Sequence, residues 1–261
     1  MRTLVLALTL LVSATAQIVD NGNVNGLMAA GSRPDLNGKI EIEAADDFIL
    51  TTDSTITRAS FTGLLTGGAT VANIGSVTVE IYRVFPKDSI NPPSGSVPTR
   101  VNSPSDNAFA SRDSLGGTLT FSTAVLSSSF TAANSVLNGI NKIPNQTTGG
   151  EGPVTGQEVR FDIVFNPPID LPADHYFFVP QVQVTGGEFM WLSSVRPIVA
   201  PGIPFTPDLQ AWIRNANLDP DWLRIGTDIV GGSPAPTFNL AFSLDGLPGT
   251  SDVYFLYFFF N

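Results

Sequence analysis

The chain has 261 residues and a formal net charge of −10, with 43% hydrophobic and 14% charged residues. This balance predicts an acidic domain with a packed core. It argues against an intrinsically disordered chain, and against nucleic acid or anionic membranes as partners, because their recognition needs a basic surface. The sequence contains no cysteine, which excludes disulfide bonds, thiol catalysis and any cysteine-bound metal.

Residues 1–16 predict a secretory signal peptide. A positively charged start is followed by a short apolar segment, and Ala14 and Ala16 provide the small side chains of a cleavage site before Gln17. The mature protein is therefore expected to be secreted and to work outside the cell or at the cell surface. A secreted chain without cysteine favours a bacterial source. No other stretch reaches the roughly 18 apolar residues that a membrane-spanning helix needs.

Three segments alternate between apolar and polar residues, as strands do when one face is buried. They are residues 76–85, 158–165 and 238–244. Weaker strand signals lie at residues 38–43, 46–50, 55–62, 117–123, 176–184 and 187–192. Between the strands, residues 86–107 and 144–157 are rich in proline, glycine, serine and asparagine, and they predict surface loops.

The strand pattern predicts an all-β fold, an antiparallel two-layer β-sandwich that is jelly-roll-like. Residues 17–246 are expected to form this one domain. One short helix is predicted near residues 207–214. Pro207 suits the first helical position, and Leu209, Trp212 and Ile213 would share one face of the helix.

The chain ends in an apolar tail, residues 247–261, which contains an uninterrupted apolar run at residues 253–260. We expect this tail to form the last β-strand, either in its own domain or, by self-association, on a sheet edge of a second copy. Two alternatives stay open. One is a degenerate sortase signal, since residues 247–251 differ from that signal at Ser251, and the other is an accidental gene end.

Short motifs in the first third of the mature chain resemble a known group of proteins. The motifs are Asp20-Asn21-Gly22, residues 43–48, 54–57 and 61–63, and residues 77–82. In these segments the chain is similar to exported bacterial β-sandwich proteins that often carry a PEP-CTERM sorting tail and whose function is largely uncharacterised. The resemblance implies a β-sandwich outside the cell and assigns no catalytic residue. The chain departs from this group because it has no Pro-Glu-Pro motif, spanning helix or basic tail at its end.

Asp46 and Asp47 are the best candidates for a metal site. Adjacent carboxylates of a strand point to opposite faces, so a metal would need one of them together with backbone carbonyls and a distant acid such as Asp20 or Glu43. Calcium accepts about six to eight oxygen ligands in flexible geometry. The sequence requires no cofactor, and structural calcium is the one candidate. The alternative is a pair of acids that is solvated or caps a loop through backbone amides.

A segment that combines tryptophan with polar residues predicts a ligand site. Its candidates are Trp212, Arg214, Asn217, Asp219, Asp221 and Trp222. An aromatic ring can stack on a sugar while neighbouring polar groups bind its hydroxyl groups, so the segment indicates a polysaccharide as partner. The alternative is ordinary packing of the tryptophans, with the arginine held in loop salt bridges.

The sequence shows no catalytic motif. His175 is the only histidine, which excludes histidine-rich metal sites, and no Gly-x-Ser-x-Gly elbow accompanies it. We therefore expect an exported, non-enzymatic β-sandwich protein with a structural or binding role at or outside the bacterial cell surface. One alternative is a calcium-assisted carbohydrate-binding module, which exposed, coplanar rings of Trp212 and Trp222 would favour. The other is an extracellular hydrolase, which two acids facing across a cleft would favour.

Overall fold

Two β-sheets make up the fold in a computed structural model, which describes residues 15–35, 38–90, 95–140, 146–198 and 208–249. Fourteen strands occur in these ranges. They are β1 (Ala16–Asp20), β2 (Val24–Gly31), β3 (Ile42–Ile49), β4 (Ser54–Leu65), β5 (Ile74–Val84), β6 (Pro104–Asp113), β7 (Leu119–Ala132), β8 (Asn134–Val136), β9 (Val154–Leu171), β10 (His175–Val184), β11 (Phe189–Ser194), β12 (Trp212–Asn215), β13 (Leu223–Arg224) and β14 (Phe242–Pro248). Helical structure in the same ranges is limited to a 3₁₀ turn, Val71–Asn73, and a π-helical turn, Ile225–Val230.

Strand β4 lies at the centre of the first sheet. On one side it pairs with β9, which pairs in turn with the edge strand β7. On the other side β14 pairs with the first part of β4, and β11 pairs with residues 63–65. Strand β1 continues the sheet beside β14, β2 lies beside β11, and β8 runs parallel to β2. The second sheet has the order β13-β12-β3-β10-β5-β6 and its pairs are antiparallel.

Aromatic side chains from both sheets fill the space between them. In the first sheet, Phe61 and Phe161 stack with their ring centroids 4.8 Å apart. Phe178 of the second sheet lies 6.2 Å from Phe61 and 5.0 Å from Phe242 between ring centroids. Each fully buried ring stabilises the folded state by about 1.5–3 kcal/mol. This shared core therefore holds the two sheets face to face.

The structure confirms the predicted all-β, two-layer sandwich. The alternating segments at residues 76–85 and 158–165 lie largely in β5 and β9, whose apolar residues face the core. Of residues 238–244, only the last three are in a strand, β14. The weak signals at residues 38–43 and 46–50 both overlap one strand, β3, which begins only at Ile42. The other weak signals overlap β4, β7, β10 and β11.

Two segments predicted as loops contain strand residues. The segment at residues 86–107 includes the start of β6, and the segment at residues 144–157 includes the start of β9. These residues pair with β5 and β7, respectively. Hydrogen bonds across the sheet override the weak local preference for a loop that a sequence rich in glycine and proline has.

The prediction of a helix near residues 207–214 is wrong. Pro207 lies outside the described residues, and the rest of the segment starts without regular structure and then forms β12, which pairs with β3. Leu209 and Trp212 pack on the outer side of the second sheet, whereas Ile213 packs in the main core. Trp212 and Ile213 therefore point to opposite sides of the sheet, as neighbours on a strand do, and do not share one helical face.

Residues 1–14 and 250–261 lie outside the described residues. Most of the predicted signal peptide and of the predicted terminal strand lies there. The described part of the apolar tail, up to Pro248, belongs to β14. Within the described ranges, no helix has the length and apolar character needed to cross a membrane.

Candidate functional site

The predicted ligand residue Arg214 lies in a buried polar network on the outer side of the second sheet. Its Nε donates a hydrogen bond to Glu43, its Nη2 donates to the Tyr82 hydroxyl at 2.9 Å, and its Nη1 lies 2.8 Å from a carboxylate oxygen of Asp219. The side chains of Arg214 and Glu43 are 6% and 4% exposed. Glu43, predicted as a calcium ligand, is therefore paired with an arginine.

The carboxyl group of Glu80 joins this network. The Tyr82 oxygen lies 2.8 Å from a carboxyl oxygen of Glu43 and 2.8 Å from one of Glu80. Burial and the neighbouring Glu43 carboxylate raise the pKa of Glu80 to about 7. Since the Tyr82 hydroxyl has one proton to donate, a proton on Glu80 supplies the second hydrogen bond. The groups satisfy one another, which indicates a structural role.

Trp212 and Trp222 are buried side chains. They are 1% and 0% exposed, and the guanidinium carbon of Arg214 lies 4.3 Å from the centre of the Trp222 ring. Neither ring presents a face to solvent, so neither can stack on a sugar. The structure corrects the interpretation of these rings as a sugar platform, because both pack in the protein interior.

The other residues of the predicted ligand segment are divided between the interior and the surface. Asp221 is buried, and its carboxylate lies 3.3 Å from Nε of Arg100. Asn217 and Asp219 are exposed. The segment therefore does not present its six candidates on one surface.

Asp46 and Asp47 point to opposite sides of β3, as neighbours on a strand should. Asp46 lies on the side of the main core, where it accepts hydrogen bonds from the Asn21 side chain and from the Leu240 amide, both at 2.7 Å. Asp47 lies on the other side, with its carboxylate 2.5 Å from His175 Nε2. Burial raises the pKa of both carboxyl groups, most strongly that of Asp46.

The four acids predicted to hold calcium do not form one site. Asp20 is exposed and accepts a hydrogen bond from the Gly22 amide at 2.7 Å. Glu43 pairs with an arginine, and β3 separates Asp46 from Asp47. In the described parts of the chain, no group of three or more acidic or histidine side chains is placed to hold a metal ion. Structural calcium stays a prediction, which melting with calcium or with a chelator tests.

The side chain of His175 is fully buried. It is 0% exposed, contacts Asp47, and lies nearly parallel to the Phe177 ring with centroids 6.3 Å apart. These contacts tie β10 to β3. They indicate packing and give no support to a catalytic role.

A cleft of about 390 Å³ crosses the outer side of the first sheet. Its volume lies within the range of roughly 300–1,000 Å³ that is typical of small-molecule sites. The walls come from the β1–β2 region and from β4, β7, β9 and β14. The polar residues that line it are Gln17, Asp20, Asn23, Ser60, Thr62, Glu158, Arg160 and Ser243. Nothing in the sequence singles out this surface as a site.

Strand alternation explains the positions of these side chains. Phe61 of β4 and Phe161 of β9 face the core. Their neighbours Ser60, Thr62 and Arg160 therefore face outward, into the cleft. Thr62 and Arg160 are paired partners on adjacent strands. Sheet pairing thus places hydroxyl and charged groups side by side.

Strand β7 carries an irregularity beside the cleft. Its register with β9 shifts between Val125 and Ser127, and the extra residue, Leu126, is 50% exposed in the cleft wall. Ser127 pairs with Glu158. The bulge therefore adds an apolar side chain to the wall that also contains Glu158.

The carboxylate of Glu158 lines the cleft and has no partner among the described residues. The residue is 7% exposed, and its side chain makes no hydrogen bond or ion pair with any residue that the structure describes. Arg160, on the same strand face, pairs with Asp162 at 3.1 Å instead. Burial raises the pKa of Glu158, because loss of water disfavours the charged form. Such a group can accept a ligand hydrogen bond or transfer a proton.

Comparisons of this chain with protein-family models, with curated proteins and with solved structures found no match.

Proposed function

We propose that the protein is exported and binds a carbohydrate, without catalysis, in the cleft on the outer side of the first sheet. The observation that supports this most strongly is the cleft itself, whose wall contains the carboxyl group of Glu158, which pairs with none of the described residues. Sugars are bound through their hydroxyl groups, which need both donors and acceptors. The cleft offers such groups on Gln17, Asp20, Asn23, Thr62 and Ser243. The binding takes place at or outside the bacterial cell surface.

A second, smaller cavity gives less support to a binding role. It has a volume of about 280 Å³ and is lined by Asp47 and Asp208. Its charges already have partners, since Arg196 lies 2.8 Å from Asp208 and His175 contacts Asp47. A ligand gains little from groups that are satisfied within the protein. The larger cleft is therefore favoured, because its Glu158 carboxylate is paired with no residue that the structure describes.

The variant Thr62→Tyr tests the proposal, because a tyrosine at this position fills the cleft. Isothermal titration calorimetry with a panel of plant, fungal and bacterial cell-wall oligosaccharides first identifies a ligand of the parent protein. We expect Thr62→Tyr to weaken binding of that ligand at least about tenfold, or about 1.4 kcal/mol.

Thr120→Tyr is the matched control, because Thr120 is exposed on β7 and lies outside the cleft. It should bind like the parent protein. Absence of binding to every member of the panel would overturn the proposed function. Equal binding by both variants would show that the cleft is not the site.

A carboxylate-dependent hydrolase is the second candidate, because Asp20 and Glu158 line the same cleft. A buried acid with a raised pKa can protonate a glycosidic oxygen while another carboxylate assists. Release of reducing sugar by the parent protein, lost in Glu158→Gln, would favour this candidate. Binding without turnover would favour the first.

A further inference from the structure

We infer that the ligand of the cleft is a sugar with a free, positively charged amino group, and that the Glu158 carboxylate binds this group. The inference rests on the proposed binding function and names the chemical class of its ligand. It follows from the charges that line the cleft and from the burial of Glu158.

The charges of the cleft leave an excess of negative charge for a ligand. Its lining contains two acids, Asp20 and Glu158, and one base, Arg160. Arg160 is paired with Asp162, at 3.1 Å. The net charge of the whole chain, −10, has the same sign. Such a field attracts a cationic sugar and repels an acidic one.

The burial of Glu158 favours an ammonium group over a hydroxyl group as its partner. The residue is 7% exposed, so the protein covers most of its side chain, and its carboxylate faces the cleft without pairing with any described residue. A buried charge is costly unless it is paired. A hydroxyl group supplies a hydrogen bond, whereas an ammonium group supplies a hydrogen bond and the opposite charge. Such charge-assisted bonds are roughly twice as strong as neutral ones.

The rest of the cleft suits the hydroxyl groups of the same sugar. The hydroxyl groups of Ser60 and Ser243 share a hydrogen bond at 2.8 Å, and either oxygen can be its donor. The pair can therefore reorient to accept from or donate to a ligand. Thr62 adds a third hydroxyl group to the lining.

Calorimetry with three trisaccharides tests the inference. The probes are the glucosamine trimer, its fully N-acetylated form and the glucose trimer of cellulose, at physiological salt and at a mildly acidic pH that keeps the sugar amino groups protonated. The proteins are the parent, Glu158→Gln, and Asp245→Asn as control. Asp245 is a partly buried acid on β14 that does not line the cleft, so both variants lose one negative charge. Glutamine keeps the size of glutamate, and circular dichroism checks that the variant is folded.

We expect the parent protein to bind the glucosamine trimer at least about tenfold more tightly than the two neutral trimers. Glu158→Gln should lose at least about tenfold in affinity for the amino sugar, and Asp245→Asn less than about twofold. Equal affinity for neutral and amino sugars, lost in Thr62→Tyr, would overturn the inference and keep the proposed function. Unchanged binding of the amino sugar by Glu158→Gln would also overturn the inference. Absence of binding by all sugars tested would overturn the proposed function itself.

Discussion

Arg214 and Glu43 form an ion pair whose side chains are 6% and 4% exposed. Arg214→Met removes the guanidinium group and leaves the Glu43 carboxylate buried without its charge partner. We expect this variant to lose about 3–5 kcal/mol in free energy of unfolding. Urea denaturation at neutral pH measures the change.

The exposed pair of Arg160 and Asp162 provides the control, since its side chains are 48% and 43% exposed. Arg160→Met should change the free energy of unfolding by less than about 1 kcal/mol, because water and salt screen a surface pair. Adding Glu43→Gln to Arg214→Met should recover part of the lost stability. An Arg214→Met protein as stable as the parent would contradict the structural role of the network.

The orientations of Asp46 and Asp47 can be predicted from the sequence, whereas their hydrogen-bond partners cannot. That the two carboxylates point to opposite sides follows from the geometry of any strand. Their partners are distant in the chain, since Asn21 lies in the turn after β1 and His175 begins β10. No local pattern identifies such partners, so the sequence predicts the two orientations but not the two separate contacts.

Among the elements, β12 shows how tertiary pairing decides between helix and strand. Helix preferences of ordinary residues differ by less than about 1 kcal/mol each. Pairing with β3 buries Trp212 on one side and Ile213 on the other, and each buried side chain contributes about 1.5–3 kcal/mol. The burial outweighs the helical start signal at Pro207, which explains the incorrect prediction.

The contact between β4 and β9 depends on a glycine. A Cβ atom at Gly156 would lie 2.4 Å from the carbonyl oxygen of Leu65. Gly156→Ala must therefore push the two strands apart, and we expect a loss of about 1–3 kcal/mol in free energy of unfolding. Gly116→Ala is the control, because its nearest such atom is 3.9 Å from the added Cβ. Equal stabilities of the two variants in urea would contradict the requirement for glycine.

The whole molecule should respond to pH, because burial raises the pKa of several carboxyl groups together. They are Glu41, Asp46, Asp47, Glu80 and Glu158. At a pH between the ordinary and the raised pKa values of these groups, the folded state binds more protons than the unfolded state. Stability therefore falls as pH rises through this window. We expect a lower melting temperature at about pH 8 than at about pH 5.5, which scanning calorimetry measures.

Glu80→Gln isolates one contribution to this pH dependence. The pKa of Glu80 is raised from 4.5 to about 7, so its favourable contribution is complete below pH 4.5 and is lost as pH rises through about 7. The variant cannot ionise, and it should exceed the parent in stability at about pH 8 by about 1–3 kcal/mol, and by less at about pH 5. Asp245→Asn removes a carboxylate outside the network and serves as control. A parent melting temperature that does not change with pH would contradict both predictions.

The class of fold and the two faces of individual strands follow from the sequence by itself, because alternation with a period of two is a local property. Strand β9 shows this, since Val159, Phe161 and Ile163 face the core as the pattern requires, whereas Arg160 and Asp162 face outward. Which strands pair with one another is decided only in the tertiary structure. Ser60, Glu158 and Ser243 come from three strands that are far apart in the chain, and they share a cleft because β9, β4 and β14 pair side by side. The free energy of that pairing comes from contacts between distant segments, which a local pattern does not contain.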